Sequence, residues 1–272
     1  MAKIVVSFIL ILAIAGLSPA QASSSLQDIL SEDLKQLTQA PVNFFRLARS
    51  PVSWEGAEWK TAGALAGTTL ALMLFDGSTQ DFFQANRSGV TENVSRLVKP
   101  LGEGSTTLPF LGGLYIYGLL DNNEKARQTA LIATESFFVA GLFSEIVKFT
   151  FQRHRPSSGS SPFSFDGPGL PRKHQSFSSG HACVAFAVAT VIAEQYSNYP
   201  FIRGTAYTLA TLTALSRVHD NDHWVSDAFF GSALGYFTSR SIMKLHQGEE
   251  NDNLRLTISP KNIKISISLL SF

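Results

Sequence analysis

Lys148-Phe149-Thr150-Phe151-Gln152-Arg153-His154-Arg155-Pro156 closes a long apolar stretch with a lysine and an arginine seven residues apart. The stretch itself, 125–151, is rich in Ala, Leu and Phe and too long for a strand, so it reads as a helix. Pro156 tends to end it. If the helix persists that far, two turns place Lys148 and Arg155 on one side. Working outward, five more stretches share this character: 60–75, 105–121, 181–196, 202–217 and 224–246. Polar or Gly/Pro-rich connectors separate them. The pattern is an all-α bundle of six helices.

Two further motifs fall at the ends of these stretches. Ser178-Ser179-Gly180-His181 opens the fourth. Ser216-Arg217, followed after five residues by His223 and three more by Asp227, spans the break between the fifth and sixth. Lys148 and Arg217 end helices, while His181 and His223 begin them. Antiparallel packing of successive helices brings all four to one end of the bundle.

Three cations, two histidines, a carboxylate and a Ser-Gly turn suit metal-free attack on phosphorus. That chemistry needs a nucleophile, an acid for the leaving oxygen and positive charge around the other oxygens. His223 is the candidate nucleophile. Asn221 or Asp222 is expected to cap a helix just before it. Asp227 then lies one turn later on the same face. There it accepts the Nδ1 hydrogen and leaves Nε2 free to attack. His181 is the candidate acid, since imidazole titrates near neutrality. Ser178 or Ser179 caps its helix, and the N–H groups of Ser179, Gly180 and His181 point at a phosphate oxygen. Lys148, Arg155 and Arg217 form the grip. His154, His174, His219, Asp220 and Asp222 lie near the motifs but off their fixed positions, and read as local structure or as support behind the site. No H-E-x-x-H, cysteine cluster or EF-hand loop is present, so no metal and no cofactor is expected.

The three motifs together resemble those of the type 2 phosphatidic acid phosphatase superfamily. Its pattern is K-x6-R-P, then P-S-G-H, then S-R-x5-H-x3-D. Every position matches except Ser178, which stands where the family usually has Pro. The resemblance implies a helical bundle with its active site at one end and a phosphohistidine intermediate. It assigns His223, His181 and Asp227 to catalysis, and Lys148, Arg155, Ser179, Gly180 and Arg217 to phosphate binding. The x6 and x5 spacings and the closing Asp227 look more like the phosphatase branch than the vanadium-dependent haloperoxidases, the alternative enzyme reading. The surroundings of His223 and the 21 phenylalanines look more like its lipid phosphatases. A non-catalytic envelope protein that binds phospholipid is the alternative from another class.

The rest of the 272 residues frames this core. Residues 1–22 read as a secretory signal peptide: Lys3, an apolar run from Ile4 to Leu17, and Ala20-Gln21-Ala22. Residues 23–58 are a lead-in segment, 59–248 the phosphatase-like domain, and 249–272 a tail whose alternation reads as a β-hairpin. The expected location is the periplasm or cell envelope, soluble or membrane-associated, with a polytopic membrane form as the alternative. Net charge is +1, so no global field favours nucleic acid, and attraction for phosphate must be local. The expected substrate is a phosphorylated lipid or a small phosphoester. Cys183, the one cysteine, reads as a small buried apolar residue. The loop Ser157 to Ser176, with Phe163, Phe165, Arg172 and Lys173, is expected to govern substrate choice.

Overall fold

The computed structural model describes residues 24–169 and 175–247, and the backbone of 254–259 and 262–267. The expected signal peptide and the basic part of the expected specificity loop, Arg172 to His174, lie outside the described residues. The helices are α1 (Ser24–Thr38), α2 (Ala40–Arg49), α3 (Gly56–Met73), α4 (Asp76–Ala85), α5 (Gly89–Val98), α6 (Gly104–Leu120), α7 (Glu124–Phe151), α8 (Gly180–Gln195), α9 (Pro200–His219) and α10 (Val225–His246). All six apolar stretches are helices: α3 and α6 to α10.

The expectation of only six is corrected by α4 and α5, which fill 76–98. Each is only ten residues long and mixes both characters on both sides: Asp76, Ser95 and Val98 are buried, while Phe82, Val90 and Leu97 are exposed beside Asp81, Glu92 and Arg96. Neither carries the long apolar run that marks the other six. Local chemistry still marks the start of α5. The Ser88 hydroxyl accepts from Thr91 N at 3.2 Å, and Thr91 Oγ1 accepts from Ser88 N at 3.0 Å, a capping box.

Helix α8 is the centre of the bundle and packs on α7, α9 and α10. Its buried face is built from small residues, including Ala182, Cys183, Ala187 and Ala193. Neighbouring backbones come close as a result. A Cβ on Gly231 or Gly235 of α10 would collide with the carbonyl oxygens of Ser179 and Cys183 on α8. The apolar core behind joins Leu111, Ile132, Val139, Val188, Val191 and Ile242. The Cys183 thiol is fully buried and donates to the Ala140 carbonyl at 3.4 Å. Burial pushes it up to about 12.

Among the described residues, α7 alone is long and apolar enough to cross a membrane, and 56% of its apolar window is buried. The strands Leu254–Ser259 and Asn262–Ile267 pair antiparallel, Leu254 opposite Ile267. The bundle itself is all-α, and the expected hairpin tail is not supported as part of it.

Candidate active site

Helix α7 stops at Phe151 because Gln152 turns into the left-handed region at φ 43°. Arg155 therefore lies beyond the helix, and the expectation of Lys148 and Arg155 two turns apart on one helix is corrected. Lys148 stays on α7. Its Nζ lies against the Ser-Gly-His turn, where a Cβ at Gly180 would sit 2.9 Å from it. Glycine at 180 is thus what admits the ammonium. Ser179 is the N-cap of α8, accepting from Ala182 N at 3.5 Å. Ser178, which stands in the family's Pro position, hydrogen-bonds through its hydroxyl to Ser144 Oγ at 3.0 Å. That buried hydrogen bond ties the turn to α7.

His223 lies in the turn before α10, whose N-cap is Trp224. The expected cap at Asn221 or Asp222 and the i, i+4 helical pairing with Asp227 are both overturned. The His223 Nδ1 nitrogen lies 2.7 Å from the Ser176 carbonyl oxygen and 3.9 Å from Asp227. A carbonyl only accepts, so Nδ1 carries the proton and Nε2 keeps its lone pair. Asp227 is instead held by three donors. Ser176 Oγ and Trp224 N (2.9 Å) give to Oδ2, and Arg153 Nη1 gives to Oδ1 at 2.6 Å. Ser176 thus stands between the two, its carbonyl on His223 and its hydroxyl on Asp227.

Burial, followed by the charges of Arg155, Lys148 and Arg217, holds the His223 ring well below the usual histidine range. The ring is therefore neutral at physiological pH. Burial raises Asp227 to about 6 against the pull of Arg153, so it is mostly ionised at neutrality. His181 is also lowered, by burial and then by Arg217. Glu103, whose Oε1 lies 3.4 Å from His181 Nε2, works the other way.

The cations of the grip all have acids beside them. Lys148 Nζ donates to the exposed Glu145 at 2.7 Å. Arg155 Nη1 donates to Asp222 Oδ1 at 3.1 Å, and Arg217 Nη2 to the other oxygen of the same carboxylate. Arg217 Nη1 reaches Asp220 at 3.1 Å. Its Nε is buried without a hydrogen-bond partner. Asp222, read from sequence as local structure or as support behind the site, bridges two of its cations.

Behind Val225 and Ala228 an apolar groove of about 630 Å³ runs along the bundle between α3, α8, α9 and α10. Leu65, Phe186, Ala214, Leu215 and Phe229 are among its walls.

Sequence reasoning missed Ser176, Arg153, Asp76 and Glu103. Arg153 and Ser176 lie inside or just before motifs, but at positions that carry no fixed residue. Asp76 lies 77 residues from its partner Arg153 and gave no local signal.

Comparison with known proteins finds similarity over the segment that carries these residues. Residues 129–250 match the family model described as PAP2 superfamily. The lipid A 1-phosphatase of Porphyromonas gingivalis is 37% identical over 89 residues, 32% of this chain and 17% of that protein. The chain thus matches about a sixth of that relative's length. Two solved structures are similar at 20% identity. The transmembrane PAP2 type phosphatidylglycerolphosphate phosphatase from Bacillus subtilis gives a TM-score of 0.48, covering 69% of this chain and 96% of that one. Aquifex aeolicus LpxE gives 0.49, covering 62% and 95%. The matched segment contains all three motifs, and over it the chain is similar to the PAP2 superfamily.

Proposed function

We propose that the chain is a phosphatase of the cell envelope that hydrolyses phosphate monoesters or pyrophosphates of lipids through a phosphohistidine, with no metal. The observation that carries this is the setting of His223. Its ring is held neutral with Nε2 unprotonated, while Lys148, Arg155 and Arg217 all act on it electrostatically. Nε2 attacks phosphorus as the bond to the leaving oxygen breaks, and His181 donates a proton to that oxygen. Water then gives a proton to His181 and attacks the phosphohistidine. The P–N bond breaks, and phosphate and neutral His223 are restored. The cations and the N–H groups at the start of α8 neutralise the oxygens in flight. The orphan Nε of Arg217 is a donor left for an anion.

The lipid assignment rests on two supports. The apolar groove begins two residues after His223, so an acyl chain fits beside a phosphate bound there. The relative of 37% identity acts on lipid A. Membrane association is supported by outward-facing Leu70, Leu74, Phe82, Val90, Leu97 and Leu120, each more than 60% exposed.

The test is phosphate release across lipid and soluble phosphoesters, with EDTA and with vanadate. Turnover of lipid phosphates that survives EDTA, and is inhibited by vanadate as a five-coordinate mimic, is the expected result. Loss of activity in EDTA with rescue by Mg²⁺ or Zn²⁺ would overturn the metal-free reading. Faster turnover of soluble esters would overturn the lipid one.

A further inference from the structure

We propose that Arg153 is a positioning residue of this enzyme: it fixes Asp227 and Ser176 in the arrangement that aims His223, with Asp76 sharing its charge. The inference rests on His223 being the nucleophile. Arg153 follows the left-handed turn that ends α7, and its side chain is 0% exposed. All three guanidinium nitrogens are engaged. Nε donates to the Pro162 carbonyl at 2.8 Å. Nη1 donates to Ser226 Oγ at 2.7 Å and Asp227 Oδ1 at 2.6 Å. Nη2 donates to Asp76 Oδ2 and the Pro162 carbonyl, both at 2.6 Å. The plane lies against Trp224 and Phe165, each 5.5 Å from ring centroid to guanidinium carbon.

Two routes lead from Arg153 to the His223 ring. Through its side chain it holds Asp227, whose other oxygen takes the Ser176 hydroxyl. Through its backbone it accepts the Ser176 N–H at 2.9 Å, and the Ser176 carbonyl takes the Nδ1 hydrogen of His223. One residue thus sets both the position of the carbonyl and the tautomer it selects.

The charge count gives this arrangement a role during turnover. Arg153 carries one formal positive charge against two carboxylates, Asp76 and Asp227, all 0% exposed. His223 is the next titratable group, and it is neutral at rest. The cluster reaches balance when the ring becomes positive, which happens as Nε2 bonds to phosphorus. Lys148, Arg155 and Arg217 also act on the ring electrostatically, and a bound phosphate dianion would offset them.

The experiment compares Arg153→Lys, Arg153→Met, Asp227→Asn and Arg153→Lys/Asp227→Asn with wild type. The readouts are kcat, KM and pH profile per folded molecule, and the ¹⁵N spectrum of the His223 ring. Arg153→Lys is expected to lower kcat about 100-fold, the scale of a small misplacement of the attacking group, with KM little changed. Burial of Asp227 is then opposed less, so the acid limb moves to higher pH, and further in Arg153→Met. The double variant is expected to be no slower than Asp227→Asn alone. The ring is expected to lose its single Nδ1–H tautomer.

If Arg153→Met does not fold, Arg153→Lys decides. Wild-type kcat, acid limb and tautomer in folded Arg153→Lys would overturn the proposal, as would fully multiplicative losses in the double variant. The ¹⁵N spectrum needs no turnover. An inactive wild type would therefore sink the phosphatase reading, while the spectrum alone still upholds or overturns the role of Arg153.

Discussion

Arg153 and Arg155 are two residues apart, yet Arg153 is fully buried between two carboxylates while the Arg155 side chain is 40% exposed and touches one oxygen of an acid it shares with Arg217. The first cation is committed to building the site. A buried ion cluster that loses a member leaves charges stranded without water. The second is only provisionally paired. A part-exposed ion pair is worth at most about 1 kcal/mol, so an arriving phosphate displaces it. The same residue type therefore serves as scaffold or as grip according to how much water its partner can reach.

The sharpest way to break this division is through the group that both sides serve. His223→Ala is expected to cost at least roughly 10⁴-fold in turnover, because no neighbour takes its place. Measured kcat within tenfold of wild type would end the nucleophile assignment. Next come the two arginines themselves. Arg153→Met is expected to lower stability by about 3–5 kcal/mol, read by denaturant unfolding, since Asp76 and Asp227 lose their common partner. Arg155→Ala is expected to leave stability nearly unchanged and to cost about 10²-fold in kcat, the scale of one lost charge-stabilising donor. A reversal of these two outcomes would erase the distinction between scaffold and grip.

Asp222→Asn sharpens the provisional side. With the carboxylate gone, Arg155 and Arg217 lose their shared internal counter-ion. KM and the inhibition constant of inorganic phosphate are expected to fall about fivefold, or about 1 kcal/mol. Weaker phosphate binding would show that Asp222 organises the arginines instead of occupying them. The smallest effect is a displacement between pH profiles. In the free protein burial, and then Arg217, depresses His181, so the limb for its deprotonation is expected below the ordinary histidine value in kcat/KM. A bound phosphate dianion counters Arg217 and raises His181. The same limb is therefore expected at higher pH in kcat. Coincident limbs would argue that His181 is not the acid.

The motifs made much of this legible, because phosphate chemistry fixes residue types at fixed offsets. His223, His181, Lys148, Arg155 and Arg217 were proposed from the sequence for that reason, and the long apolar stretches gave the bundle. What supports those residues was not. Ser176 acts on His223 through its carbonyl, a group every residue carries. Asp76 and Ser95 sit on two ten-residue helices with no long apolar run, so nothing in their stretch of sequence stood out. Helix α10 starting after His223, and α7 ending before Arg155, depend on backbone turns at single residues.

The sealed thiol at Cys183 turns the molecule into its own gauge. It lies two residues past His181, wedged where α8 meets α7, and burial keeps it in the unreactive protonated form. Alkylation can proceed only when those helices part. Since no other cysteine competes, the rate of labelling is a direct clock for breathing of the seam beneath the catalytic end.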